Sequence, residues 1–188
     1  MSIRNLPNLL TIARTIAIVP IVALLLWSDP TARWIALLLY TAACLTDFLD
    51  GYIARRLSVE TPFGRMLDPI ADKVLVSGLI VMLVATGDAP VIPAIIIIFR
   101  ELLVSGVREQ LASRGVTLHV TQLAKWKTTV QMVSMGFLIP GSAGFSLFGL
   151  FTTLELGQAL FWIAALLTAI TGWSYVAAAT RQIEGGAP

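Results

Sequence analysis

Long apolar stretches, separated by short runs that contain Pro or Gly, make up most of this 188-residue chain. None of them alternates between apolar and polar residues as a half-buried strand does, so each predicts an α-helix. Their lengths are those of helices that cross a lipid bilayer and satisfy their own backbone hydrogen bonds there. The sequence therefore predicts an all-α integral membrane protein with six transmembrane helices, at approximately 6–27, 32–55, 63–86, 90–114, 121–139 and 156–180.

The composition agrees with this class, since 57% of the residues are hydrophobic and only 13% are charged. A soluble domain has roughly 25% charged residues. The connections between the apolar segments are too short to hold a soluble domain, so we expect a single transmembrane domain over residues 1–188. The lone cysteine, Cys44, excludes an internal disulfide.

The basic residues predict the orientation of the helices. If both termini are cytoplasmic, every Lys and Arg except Arg33 lies on the inner side or in the inner half of the bundle. This asymmetry is the one that the positive-inside rule requires. We therefore expect a multi-pass protein of the cytoplasmic membrane with both termini inside. The net charge of +2 describes a basic inner face and gives no reason to expect nucleic acid as a partner.

Four aspartates lie near the cytoplasmic ends of the second and third segments, where an unpaired carboxylate is costly. Asp47 and Asp50 are three residues apart, and Asp68 and Asp72 are four apart, so each pair lies on one face of its helix. Because the two helices are antiparallel neighbours, the four carboxylates can converge. Oxygen ligands at this density favour a hard divalent cation, Mg²⁺ or Mn²⁺, at a site that faces the cytoplasm.

Small residues accompany the aspartates on the same two faces. Gly51 and Ala54 on the second helix and Gly64 on the third let a bulky ligand approach the backbone, and Arg55 adds a cation at the same mouth. The alternative is that the aspartates form ordinary ion pairs at the helix ends. The basic residues available for such pairs are Arg55, Arg56, Arg65 and Lys73.

The residues from Asp47 to Asp72 have the pattern Asp-x2-Asp-Gly-x2-Ala-Arg-x8-Gly-x3-Asp-x3-Asp. This pattern resembles the signature of the CDP-alcohol phosphatidyltransferases at every fixed position. The resemblance implies a six-helix membrane enzyme with the fold of that family, usually a homodimer. Such an enzyme moves a substituted phosphoryl group from a CDP-linked lipid to an alcohol and releases CMP.

The resemblance also implies a role for each residue of the pattern. Two metal ions would be held by Asp47, Asp50, Asp68 and Asp72. The CDP-lipid site would be lined by Gly51, Ala54, Arg55 and Gly64. The family assigns Asp72 as the general base that takes the proton from the attacking hydroxyl, although a carboxylate that binds metal is a weak base.

Basic residues of the fourth and fifth helices predict where the acceptor binds. Arg100 and Arg108 are eight residues apart and share a helix face, and Lys125 and Lys127 open the next helix. Together they can form a cationic pocket for an anionic acceptor, most simply a phosphate monoester. The alternatives are that the arginines pair with Glu101 or Glu109, and that the lysines contact anionic lipid headgroups.

Three further segments resemble the glycerol-phosphate branch of the family: 6–14, 100–109 and 125–128. Ala124 departs from that branch, which often has Gly at this position. The resemblance implies that the phosphatidyl group of CDP-diacylglycerol passes to sn-glycerol 3-phosphate in glycerophospholipid biosynthesis. Two other acceptor specificities stay open, those of a cardiolipin synthase and of a phosphatidylinositol phosphate synthase. A divalent-cation transporter is the alternative from another class.

Overall fold

The computed structural model describes residues 6–27, 29–57, 62–113, 122–147 and 149–184, and it describes side chains for 15–27, 29–46, 70, 73–112, 122–146 and 149–180. The described residues form six α-helices, which agree with the six predicted segments to within a few residues. These helices are α1 (Leu6–Leu25), α2 (Pro30–Leu57), α3 (Pro62–Ala85), α4 (Val91–Ser113), α5 (Gln122–Leu138) and α6 (Thr153–Glu184).

Local capping determines where two of the helices begin. The Ala32 N–H donates to Asp29 Oδ2 at 3.0 Å, and Pro30 occupies the first helical position, where its missing N–H costs nothing. At the start of α6, the Glu155 N–H donates to Thr152 Oγ1 at 3.2 Å, while the Thr152 N–H donates to Glu155 Oε2 at 2.8 Å. This reciprocal capping box explains why α6 begins three residues before the predicted position.

The connection between α5 and α6 contains the only strands among the described residues. A 3-10 turn (Gly141–Ala143) is followed by β1 (Ser146–Leu147) and β2 (Phe151–Thr152), which pair antiparallel. Gly149 lies in the tip of this hairpin with a φ of 69°, a conformation that favours glycine. The hairpin was not predictable from the sequence, because two-residue strands are too short to show an alternating pattern.

The helices pack as two groups that share one core. Helix α1 packs against α2 and α3, and α6 packs against α4 and α5. Helix α6 does so through small residues, since a Cβ built on Gly157 would lie 3.0 Å from Leu138 Cδ2 of α5. Small side chains let helix backbones approach closely, which is the usual basis of helix packing in membranes.

The outer faces of the helices are apolar, as the membrane assignment predicts. Leu38, Phe99 and Trp173 are 68%, 66% and 79% exposed, and many other large apolar side chains are exposed with them. Apolar surface on this scale indicates contact with lipid or with another apolar partner. By length and hydropathy, one helical stretch among the described residues, Thr153–Thr180, is able to cross a membrane.

A buried polar cluster joins the ends of several helices. Arg33 Nη1 of α2 lies 2.6 Å from Oδ2 of Asp88, which follows α3, and it also donates to the Ile139 carbonyl at 3.3 Å. The Thr86 hydroxyl donates to the same Asp88 oxygen at 2.5 Å, and Gln158 Nε2 of α6 donates to the Asp88 carbonyl at 3.0 Å. We call this group the Arg33–Asp88 clamp.

Candidate active site

The Arg33–Asp88 clamp joins the two aspartate-bearing helices at one end. Arg33 is near the beginning of α2 and Asp88 is just beyond the end of α3, so their contact at 2.6 Å brings the start of one helix next to the end of the other. By helical rise, the backbone of Asp47 lies about 21 Å along α2 from Arg33, and that of Asp72 lies about 20 Å along α3 from its end at Ala85. Each aspartate segment therefore lies toward the end of its own helix that is remote from the clamp, at a similar distance along it.

The helical register links the aspartates of α2 to the core. Ala36, Tyr40 and Ala43 are 0%, 4% and 7% exposed, and they form one buried stripe at intervals of four and three residues. Because α2 continues without a break to Leu57, the same intervals lead from Ala43 to Asp47 and then to Asp50.

The register of α3 leads to its aspartates in the same way. Leu75, Leu79 and Leu83 are 3%, 0% and 0% exposed. Counting back from Leu75 by intervals of three and four residues reaches Asp72 and then Asp68, and α3 is helical throughout this range. In each helix the buried stripe, continued by the helical register, thus reaches the positions of two aspartates.

The donor set at these positions fits a hard divalent cation, because it consists of carboxylate oxygens in pairs one helical turn apart. The backbone of α2 and α3 is described here, but the side chains of the residues in question lie outside those that the structure describes. Their convergence and their ligands therefore stay predictions. These residues are Asp47, Asp50, Asp68 and Asp72, together with Gly51, Ala54, Arg55 and Gly64.

The structure brings two of the predicted acceptor residues together through Glu101. Lys127 of α5 is 2% exposed, and its ammonium forms an ion pair with Glu101 Oε1 of α4. Arg100 Nη1 lies 3.7 Å from the same oxygen. Arg100 and Lys127 are therefore neighbours, and the pairing of Arg100 with Glu101 that the sequence left open is present.

The other two predicted acceptor residues are exposed. The Arg108 guanidinium lies 5.9 Å from the centre of the Tyr175 ring of α6, within the range of a cation–π interaction. Lys125 is exposed on α5, two residues before the buried Lys127. Side chains two residues apart on a helix point in nearly opposite directions, which explains why only Lys127 enters the bundle.

A contact between α3 and α4 connects the acceptor residues to the aspartate helix. The ammonium of Lys73, the residue that follows Asp72, donates to the Ser105 hydroxyl. Ser105 is one helical turn after Glu101, on the same face of α4. The Glu101 carboxylate and its two cations therefore lie beside the helix that carries Asp68 and Asp72.

Sequence reasoning missed two residues of this region, Ser105 and Gly172. A Cβ built on Gly172 of α6 would lie 2.8 Å from Cγ of Arg100, so this glycine makes room for the arginine side chain. Its spacing from Thr168 and Ala165 by four and three residues was the available signal, because all three lie on one stripe of small residues. Ser105 gave no comparable signal.

Comparison with known proteins agrees with the resemblance. A relative in Rickettsia bellii, named CDP-diacylglycerol–glycerol-3-phosphate 3-phosphatidyltransferase, is 48% identical over 178 residues, which are 94% of this chain and 96% of that protein. A Bacillus subtilis protein of the same name is 37% identical over 184 residues, 91% of this chain and 93% of that protein. A cardiolipin synthase (CMP-forming) of Oryza sativa is 38% identical over 149 residues, 72% of this chain and 45% of that protein.

The family model described as CDP-alcohol phosphatidyltransferase matches residues 4–176, a range that includes both aspartate helices and the basic residues of α4 and α5. Relatives at 37% to 48% identity align over more than nine-tenths of the chain. The family resemblance seen in the aspartate pattern is therefore confirmed, and this chain belongs to the CDP-alcohol phosphatidyltransferase family.

Proposed function

We propose that the protein transfers the phosphatidyl group of CDP-diacylglycerol to sn-glycerol 3-phosphate and so forms phosphatidylglycerol phosphate and CMP. A hydroxyl of glycerol 3-phosphate attacks the phosphorus that carries the diacylglycerol. The bond from that phosphorus to the bridging pyrophosphate oxygen breaks, CMP leaves, and the hydroxyl loses its proton. Relatives that carry the name of this reaction and align end to end with the chain support the assignment.

The helical register supports the site, because the buried stripes of α2 and α3, continued along each helix, reach the positions of the four aspartates. Asp47, Asp50, Asp68 and Asp72 are the residues that would hold Mg²⁺ or Mn²⁺. When bound, these cations neutralise the pyrophosphate and the departing CMP, which is the main demand of phosphoryl transfer. We assign Asp72 a second role as acceptor of the hydroxyl proton, because it is the aspartate nearest to Lys73 and the α4 contact.

The donor lipid occupies the space beside the aspartates in this proposal. Gly51, Ala54 and Gly64 leave room for the cytidine diphosphate to lie against the helix backbones, and Arg55 pairs with a phosphate oxygen. Gly51 directly follows Asp50 on α2, and Gly64 is one turn before Asp68 on α3. The diacylglycerol chains extend into the bilayer along the apolar outer faces of the helices.

The acceptor phosphate binds to the basic residues of α4 and α5. Arg100 Nε is buried and has no hydrogen-bond partner among the described residues, so it is a donor that an anion can satisfy. Lys127 lies beside it through Glu101, while Arg108 and Lys125 line the approach from the cytoplasm. A phosphate monoester carries more charge than the phosphodiester of a lipid acceptor, which favours glycerol 3-phosphate at a site rich in cations.

We place the active site at the cytoplasmic face of a six-span bundle of the inner membrane, with both termini inside, and we expect a homodimer. The exposed apolar helix surfaces and the distribution of Lys and Arg support this arrangement. The clamp supports it too, since Arg33, the one basic residue on the outer side, is neutralised there by Asp88.

The deciding experiment follows CMP release by the purified protein with CDP-diacylglycerol and Mn²⁺. Separate reactions receive glycerol 3-phosphate, glycerol, phosphatidylglycerol or inositol phosphate as the acceptor. Of these four acceptors, we expect only glycerol 3-phosphate to give rapid CMP release. The similarity to a cardiolipin synthase makes phosphatidylglycerol the acceptor to compare most carefully. Faster release with phosphatidylglycerol would overturn the assignment of glycerol 3-phosphate as the acceptor. The absence of release with any acceptor would overturn the transferase assignment and leave the cation transporter as the alternative.

A further inference from the structure

Among the described residues, Glu101 forms the one ion pair between α4 and α5. Its Oε1 atom pairs with the Lys127 ammonium of α5 and lies 3.7 Å from Arg100 Nη1 of α4. Adjacent residues on a helix do not face each other, so Arg100 and Glu101 meet only because both side chains bend toward one point. That point is where the basic residues of two helices converge.

Burial makes an opposite charge beside these cations important. The side chains of Lys127 and Arg100 are only 3% and 13% exposed, whereas that of Glu101 is 19% exposed. Lysine has a flexible four-carbon stem, and a buried ammonium without an opposite charge is costly. The Glu101 carboxylate therefore compensates the charge of the ammonium and helps to determine where it lies.

The location of the group connects it to the reaction. Ser105 is one turn after Glu101 and receives a hydrogen bond from Lys73, which directly follows Asp72. One helical turn is about 5.4 Å along the axis. The Glu101 pair thus lies about one turn from the contact that joins α4 to the aspartate helix.

We propose that Glu101 is a positioning residue for the acceptor phosphate. It holds the Lys127 ammonium and the Arg100 guanidinium at one point beside the aspartates, and it does not contact the reacting atoms. The inference rests on the proposed function, because it takes the acceptor to be a phosphate monoester. The inference assigns a role at the phosphate site to a residue whose charge alone would argue against it, since a carboxylate repels phosphate.

The test is the Glu101→Gln variant of the full-length protein, which keeps the shape of the side chain and removes its charge. In the CMP-release assay, we expect KM for glycerol 3-phosphate to rise about tenfold or more, because a charge-assisted contact is weakened. KM for CDP-diacylglycerol should change by less than about twofold. In the Glu101→Gln background, Lys127→Gln should add little, since the two residues act as one unit.

The matched control is Glu109→Gln, an identical charge change at an exposed position of the same helix, for which both KM values should stay as they are. If Glu101→Gln does not yield a folded protein, Glu101→Asp keeps the charge but withdraws it by one methylene group. That variant should show a smaller rise in acceptor KM.

Three results would overturn the inference. Acceptor KM could stay unchanged, it could fall because Glu101 competes with the phosphate, or both KM values could rise together with a loss of thermal stability, as for a merely structural residue. Failure of the proposed function would give a different result, because the unaltered enzyme would then release no CMP when glycerol 3-phosphate is added.

Discussion

The Gly141→Ala substitution tests whether the Arg33–Asp88 clamp stabilises the bundle. Gly141 has a φ of 54° in the 3-10 turn that follows α5, where residues other than glycine are strained. A Cβ built on Gly141 would lie 2.5 Å from Asp88 Oδ1 and closer still to Arg33 Nη1. The added methyl group therefore meets the ion pair itself, and the pair has to separate to accommodate it.

The expected cost has two parts. A residue other than glycine in the left-handed region costs roughly 1–2 kcal/mol. Displacing the pair weakens a hydrogen bond between charged groups, which contributes roughly 1.5–3 kcal/mol. The side chains of Arg33 and Asp88 are 11% and 8% exposed, so solvent screens this contact little. We therefore expect Gly141→Ala to lower the free energy of unfolding by about 2.5–5 kcal/mol.

Gly87→Ala is the matched control for the strain. Gly87 has a φ of 77°, and a Cβ built on it would meet no atom within 4 Å, so this variant should cost only the strain, roughly 1–2 kcal/mol. The difference between the two variants then measures the clamp. Unfolding by SDS in mixed micelles, followed by the fluorescence of the five Trp residues, provides both free energies.

A second comparison separates the clamp from other contacts of Gly141. In a background that lacks both charged groups, Arg33→Ala with Asp88→Ala, the cost of Gly141→Ala should fall to that of the strain alone. Equal costs for Gly141→Ala and Gly87→Ala would contradict the reasoning, as would a cost of Gly141→Ala that is the same with and without the two charges.

The remaining predictions concern the reaction. Asp68→Asn should abolish CMP release while the protein stays folded, because one ligand of the cation site is lost; near-normal turnover in saturating Mn²⁺ would contradict the site. Gly51→Leu should block binding of CDP-diacylglycerol and largely keep metal binding, and an unchanged affinity for the lipid would remove this stripe from the nucleotide site. Arg108→Gln and Lys125→Gln should each raise KM for glycerol 3-phosphate by about ten- to a hundredfold, with little effect on KM for CDP-diacylglycerol. If neither variant changes that KM, these two residues do not bind the acceptor.

Helix positions were predictable because the signals that determine them are local. Apolar length, Pro and Gly punctuation and the absence of alternation placed all six helices among the described residues to within a few positions. The boundaries that were missed depend on side-chain capping. The Thr152 and Glu155 capping box is visible in the sequence as Thr-x-x-Glu. The predicted start at residue 156 instead followed the apolar segment, which begins after Glu155.

The candidate site was predictable only to the level of helix faces. Spacing alone put Asp47 with Asp50 and Asp68 with Asp72, and the buried registers of α2 and α3 lead to those positions. Partners across helices were not predictable, because they depend on how the bundle packs. Lys125 and Lys127 are equivalent in composition, but only Lys127 is buried and paired with Glu101.

Charged residues have different roles at the two ends of the bundle. At one end, Arg33 and Asp88 neutralise each other within 2.6 Å. Asp88 accepts a further hydrogen bond from Thr86 and Arg33 donates one to the Ile139 carbonyl, so the pair joins helix ends and leaves no charge for a ligand. At the other end, α3, which carries two of the aspartates, contacts α4, and the Arg100 and Lys127 cations contact one described carboxylate, Glu101. Carboxylates concentrated on one side and cations on the other are costly without ligands of opposite charge. A divalent cation and a phosphate monoester supply those charges, and this requirement connects the fold to the proposed reaction.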